Sequence, residues 1–142
     1  MRAAIAIAKV CSAHGVPWCL EHPFTSLAWR TPQIQTLLHQ PDTSFARVDF
    51  CAFGTPWRKR TGLLFGGGAD HADVSRLSEF ACTGRKACTF SGKPHVQLIG
   101  YDPVRGGHRT QLAEPYPTKL CKCIANILTG RLIDARCAVS GI

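Results

Sequence analysis

The stretch FARVDFCAFGTPWRKRTGLLF, residues 45–65, decides how the chain is read. Its opening, Phe45 to Phe53, reads as a strand with Phe45, Val48, Phe50 and Ala52 as core positions. Gly54-Thr55-Pro56 is a tight connection, since glycine tolerates unusual backbone angles and proline fixes its own φ. Gly62-Leu63-Leu64-Phe65 is a further short strand. Between them stands Trp57-Arg58-Lys59-Arg60-Thr61, the densest positive segment of the chain. Three consecutive cations cannot all be buried cheaply, so some must meet solvent or phosphate. One reading has Trp57 stacking on a nucleobase while Arg58, Lys59 or Arg60 holds the backbone. The other, equally open, is a core indole followed by a solvated charge run.

The flanking sequence alternates helix and strand. Ala3 to Ala13 reads as a helix stopped by Gly15, and Val16 to Leu20 as a strand ending at Glu21-His22-Pro23. Ser26 caps a helix carrying Leu27, Ile34, Leu37 and Leu38, with a second start at Pro32. After the joint Gly66-Gly67-Gly68, Asp70 or Asp73 caps a helix through Phe80. Cys82 to Pro94 reads as an irregular loop, His95 to Ile99 as a strand, and Asp102 to Arg109 as a turn. Leu120, Ile124, Ile127 and Leu128 recur at helical spacing after Pro117, with Gly130 as the stop. The expectation is an α/β layer forming one domain over residues 1–130, followed by a tail at 131–142.

Seventeen Lys and Arg against nine Asp and Glu leave 142 residues with a formal charge of +8. Such an excess favours polyanionic partners, because phosphate concentrates at a positive surface and releases its counterions there. The 45% hydrophobic content is that of a globular chain. Eight cysteines would fit a secreted disulfide scaffold, yet the start MRAAIAIAKVCSAHG is not a signal peptide, being broken by Lys9 and His14. No run reaches the roughly 18–20 apolar residues that span a bilayer. A nuclear or cytoplasmic protein with free thiols is expected, neither secreted nor in a membrane. A start inside a helical segment fits the later part of a longer ancestral chain.

Three groups can carry chemistry. Glu21, at a strand end where α/β folds hold working groups, can act as a catalytic proton acceptor or contact a base edge; its plainer role is that of a capping carboxylate. Cys82-x5-Cys88-x6-His95, joined by Cys51, offers three thiolates and an imidazole to a structural zinc ion, although neither spacing is a C-x2-C pattern. Partly buried cysteines without a ligand are the alternative. Cys121-Lys122-Cys123 can lend a ligand only awkwardly, since neighbours on a helix point apart. A Cys-His hydrolase built from Cys51 or Cys82 with His95 lacks an identifiable orienting group.

Glu21-His22-Pro23, Cys51-Ala52-Phe53-Gly54, Lys59-Arg60-Thr61, the Cys82, Cys88, His95 series and Pro117-Thr118-Lys119-Leu120-Cys121 together resemble the later half of phage-like and mobile-element-associated cytosine-C5 DNA methyltransferase-like proteins. The resemblance runs from about residue 16 to 128 on short, degenerate motifs. It implies a partial Rossmann-like methyltransferase layer in which Glu21 matches the glutamate that contacts the flipped cytosine. His22 stands where the family has asparagine, and Arg60 where it has proline. The Pro-Cys nucleophile and the early glycine loop for S-adenosylmethionine are absent from the sequence, so no S-adenosylmethionine is expected on the isolated chain. The resemblance therefore implies a non-catalytic, nucleic-acid-associated fragment, or an enzyme completed by a partner or an upstream domain. The competing expectation is a zinc-braced structural or protein-interaction domain.

Overall fold

Leu63, Leu64 and Phe65 leave a strand no polar side with which to face water, and the chain is built around them on both sides. The computed structural model describes residues 2–131. Helix α1 (Arg2–Ala13) precedes strand β1 (Trp18–Pro23); a 3-10 turn at Leu27–Arg30 leads into α2 (Pro32–Leu38) and then β2 (Ser44–Asp49). A second 3-10 turn, Phe50–Phe53, separates β2 from β3 (Arg60–Gly66), and α3 (His71–Leu77) follows. The short strands β4 (Tyr101–Asp102) and β5 (Gly107–His108) come before α4 (Thr118–Leu128).

β3 is the middle strand of a three-stranded sheet of order β1-β3-β2, antiparallel to both neighbours. Leu64 faces Leu20 and Phe45 in register, and Leu63 faces Glu21 and Ala46. Successive side chains point to opposite faces, so the strand feeds two cores. Leu63 and Phe65 join Ala46, Val48, Phe50, Val74, Leu77, Leu120 and Ile127 under α3 and α4. Leu64 joins Ile5, Trp18, Trp29, Ile34 and Leu37 under α1 and α2. Burying a side chain such as Leu64 contributes about 1.5–3 kcal/mol.

The expected partial Rossmann-like layer is not the fold. Both sheets, β1-β3-β2 and the hairpin β4-β5, are antiparallel. Parallel neighbours need a crossover of about a dozen residues or more. The link from β2 to β3 is shorter and folds back through the turn at Phe50–Phe53, which reverses the chain. Three smaller expectations change with it. The strand begun at Phe45 ends at Asp49, because the chain turns through the buried residues Phe50, Cys51, Ala52 and Phe53, a turn that Gly54 closes in the left-handed conformation. His95 to Ile99 forms a single bridge, Val96 to Trp57, and the expected turn at 102–109 carries the β4–β5 hairpin. From residue 132 onward the expected tail lies outside the described residues. The predicted caps stand: Ser26 Oγ accepts from Ala28 N–H and Asp70 Oδ1 from Asp73 N–H.

Gly67 and Gly68 both have positive φ, +68° and +90°, but their surroundings differ. A Cβ on Gly67 would run into the Val16 carbonyl, whereas one on Gly68 would meet open space. Gly68→Ala is expected to cost about 1 kcal/mol in urea unfolding and Gly67→Ala at least about twice that. Equal costs would mean that the approach of Val16 to Gly67 is not tight.

Candidate metal centre

Asp49 closes β2 with its carboxylate fully buried. A buried carboxylate must be paired and hydrogen-bonded. Its Oδ1 accepts from Arg58 Nε at 3.2 Å with Arg60 Nε at 3.8 Å, and its Oδ2 accepts from the Cys82 N–H at 2.7 Å. Arg58 also donates to the Gly84 carbonyl at 3.0 Å and to the carbonyl of Cys82. Asp49 and Arg58 together hold both the amide and the carbonyl of Cys82. The position of this thiol is thus fixed by charge-assisted bonds to the end of the sheet.

The other ligands are set by short turns. Cys51 lies two residues beyond Asp49 in the Phe50–Phe53 turn, which Gly54 closes in the left-handed conformation by donating its N–H to the Cys51 carbonyl at 3.3 Å. Cys88 donates its N–H to Lys93 O and accepts at its carbonyl from Gly92, both at 2.8 Å. Val96 N–H to Pro56 O, 2.8 Å, anchors the residue after His95. Thr89 binds the loop internally: its hydroxyl accepts from the N–H groups of Thr83 (3.1 Å) and Gly84 (3.3 Å) and lies 3.2 Å from Cys82 Sγ. With its lone pairs taken, that hydroxyl has its own proton to give to the sulfur.

Cys51, Cys82, Cys88 and His95 thereby place their ligand atoms all within 4.8 Å of one another, with Cys82 Sγ 3.7 Å from His95 Nε2. The three cysteines are buried and cluster with Phe90 against them. Zn–S bonds of about 2.3 Å in a tetrahedron place sulfurs about 3.8 Å apart, so the set fits a four-coordinate metal without rearranging the backbone. Burial opposes ionisation of Cys82, yet the hydrogen bonds from Thr89, Gly84 and Cys51 bring its thiol down to about 6 from an ordinary 9. Burial and the neighbouring thiols push Cys51 the other way. A divalent cation bound by such cysteines would displace their thiol protons. Cys51 and His95 also line a cleft of about 570 Å3 with Pro56, Phe90, Pro94 and Val96.

The basic segment, expected as a nucleic-acid contact, makes most of its contacts within the chain. Arg58 is spent on Asp49 and the Cys82 loop, its side chain only 17% exposed. Lys59 Nζ donates to the Ala113 carbonyl at 3.1 Å and stands over the rings of Phe50 and Tyr116, 4.8 and 5.2 Å from their centroids. Trp57 is half-buried against the larger core. Arg60 is the outward member of the run, 44% exposed. Glu21 sits on β1, on the face toward α4, and belongs to no metal cluster. Burial first, and Glu21 second, raises the Tyr116 phenol far above its ordinary range and the Cys19 thiol to about 12. Cys121 is exposed on α4, outside the metal group.

Sequence reasoning named the four residues that converge here but missed Asp49 and Thr89. A signal for Asp49 was present: no carboxylate occurs between it and Asp70, so the cations at 58–60 had one local partner. Thr89 has no such signature. Among the described residues no helix is long and apolar enough to cross a membrane. No protein-family model, no curated protein and no solved structure matches the chain, so neither the cytosine-C5 resemblance nor any other kinship gains support from comparison.

Proposed function

We propose that the chain is a zinc-braced structural and interaction domain, in which Cys51, Cys82, Cys88 and His95 hold one zinc ion. The observation that carries this reading is the convergence of four ligand atoms from two separate segments into one buried group. Zinc accepts thiolate and imidazole together in a closed tetrahedral set, which is its structural mode. The metal would join the hydrogen bonds to Asp49, Arg58 and Thr89 in fixing a loop that has no regular secondary structure between Ala81 and Ile99.

A second reading is supported by the charge of that same loop. Between Glu79 and Asp102 the chain has no carboxylate, and Arg85, Lys86 and Lys93 are all exposed. A braced loop of this charge is suited to a polyanion, and it moves the nucleic-acid contact from Trp57, Arg58 and Lys59 to the metal loop. Its check is the salt dependence of binding to a short DNA duplex: Lys86→Ala should lower the log–log slope by about one. No binding at low salt would remove this second reading.

Metal analysis of the purified chain should give about one equivalent of zinc, and cobalt substitution should give the intense visible bands of a tetrahedral thiolate site. Cys88→Ser should lose the metal, whereas Cys121→Ser should retain it. Absence of stoichiometric binding after reconstitution with zinc under reducing conditions would overturn the proposal. Asp49→Ala strands Arg58 and frees the Cys82 amide, so it should cost about 3–5 kcal/mol in chemical unfolding and weaken zinc retention against a competing chelator. A stability change within about 0.5 kcal/mol would show that the carboxylate is not the anchor.

A further inference from the structure

Phe24, Trp29, Leu38 and Phe45 line a cavity of about 280 Å3 on the face of the sheet that α1 and α2 cover. Its walls are set by contacts among the rings. Trp29 and Phe45 meet edge to face with centroids 5.0 Å apart, and Phe24 lies 6.3 Å from Phe45. The floor is Gly62 of β3, where a Cβ would stand 2.8 Å from both Phe45 Cζ and Trp29 Cζ2. Only a residue without a side chain lets the two rings close down on the sheet. The indole N–H of Trp29 donates to the Pro23 carbonyl at 2.9 Å, which fixes the ring and removes the one polar group the lining could offer a ligand. Phe45 remains 37% exposed at the mouth.

The rim is positive. The Arg47 guanidinium lies 5.5 Å from the Phe24 centroid, and the His22 ring stands edge-on to Trp29 at 6.2 Å. No Asp or Glu occurs from His22 to Pro41, the segment that supplies three of the four walls. Of the carboxylates that flank this segment in sequence, Glu21 lies on the opposite face of the sheet and Asp42 accepts from the Gly67 N–H. An apolar hollow with an arginine at its rim is complementary to an apolar side chain flanked by negative charge.

We infer that this hollow is a docking site for one aromatic or leucine-sized side chain of a protein partner, presented by an acidic segment whose carboxylates meet Arg47. Two other occupants suit it less. A nucleobase needs a ring face open for stacking and gains from polar groups at its edge, but these rings pack on one another and the lining has no free donor. A quaternary ammonium group seeks aromatic faces, but Arg47 already covers Phe24 and the rim repels a further cation.

The test uses the full metal-loaded chain and a fluorescein-labelled peptide, Asp-Glu-Asp-Phe-Glu-Asp-Glu, followed by fluorescence anisotropy at low salt. The same peptide with Ala for Phe serves as the anchor control, and a labelled oligothymidylate as the nucleic-acid control. Binding of the Phe peptide about tenfold tighter than the Ala peptide is expected, with that difference abolished by Phe45→Ala. Arg47→Glu, a change at the rim that leaves both cores intact, should weaken both peptides about tenfold, and added salt should do the same to the wild type. Equal binding of the two peptides, or a preference that survives Phe45→Ala, overturns the inference. So does oligothymidylate binding that is tighter than the peptide and lost with Phe45→Ala. Zinc content measured on each sample keeps the outcome separate from that of the metal proposal, since the hollow uses none of the metal ligands.

Discussion

A single buried carboxylate determines how the rest of the site can be arranged. Asp49 has no access to water, so the protein has to supply its hydrogen bonds and its counter-charge. It draws these from Arg58, from Arg60 at longer range and from the amide of Cys82. The requirement binds three regions that sequence order keeps apart: the end of β2, the basic segment before β3, and the loop that carries two thiols and an imidazole. Arg58 serves two masters, since the guanidinium that neutralises Asp49 also holds the carbonyls of Cys82 and Gly84. A planar fork with several fixed donors can do this, and an ammonium group could not reproduce the geometry.

The same interaction explains why the densest positive segment is a poor guide to the surface. Three cations in a row look like a grip for phosphate, because the cost of burying each one alone is prohibitive. All three are instead engaged within the chain, Arg58 and, at longer range, Arg60 by one carboxylate, and Lys59 by a carbonyl and two aromatic faces. Cation and partner are nine residues apart for Arg58 and 54 for Lys59. Nothing in the local pattern around Lys59 points to Ala113 or Tyr116. Exposed cations are found elsewhere as well, Arg85, Lys86 and Lys93 of the loop after α3 among them.

Helices, caps and ligand types were legible because each depends on neighbours a few residues away. Asp70 caps α3 through Asp73, Gly130 follows α4 at positive φ, and the residues able to bind a metal announce themselves as Cys and His. Strand direction was not legible. The run Leu63-Leu64-Phe65 is equally apolar in a parallel or an antiparallel sheet once both faces are covered. The decision lay in Phe50–Phe53, whose four consecutive buried residues fit either a strand or a turn until the partners are known. The methyltransferase resemblance inherited that ambiguity, since its motifs take their meaning from the ends of parallel strands. The aromatic hollow was hidden for a different reason: its floor is a glycine on one strand and its walls come from two segments, none adjacent in sequence.

Cys51 and Cys82 stand on either side of a span that contains both β3 and α3, the central strand and the helix that seals one core. A metal held between them would close a loop of chain that contains both of these elements, besides bracing its own segment. The entropy lost in closing so long a span rises only slowly with its length, while the ligation free energy is spent at once. Metal uptake and assembly of the sheet would then rise and fall together: a cell short of zinc would contain less of the folded protein, rather than a folded protein with an empty loop.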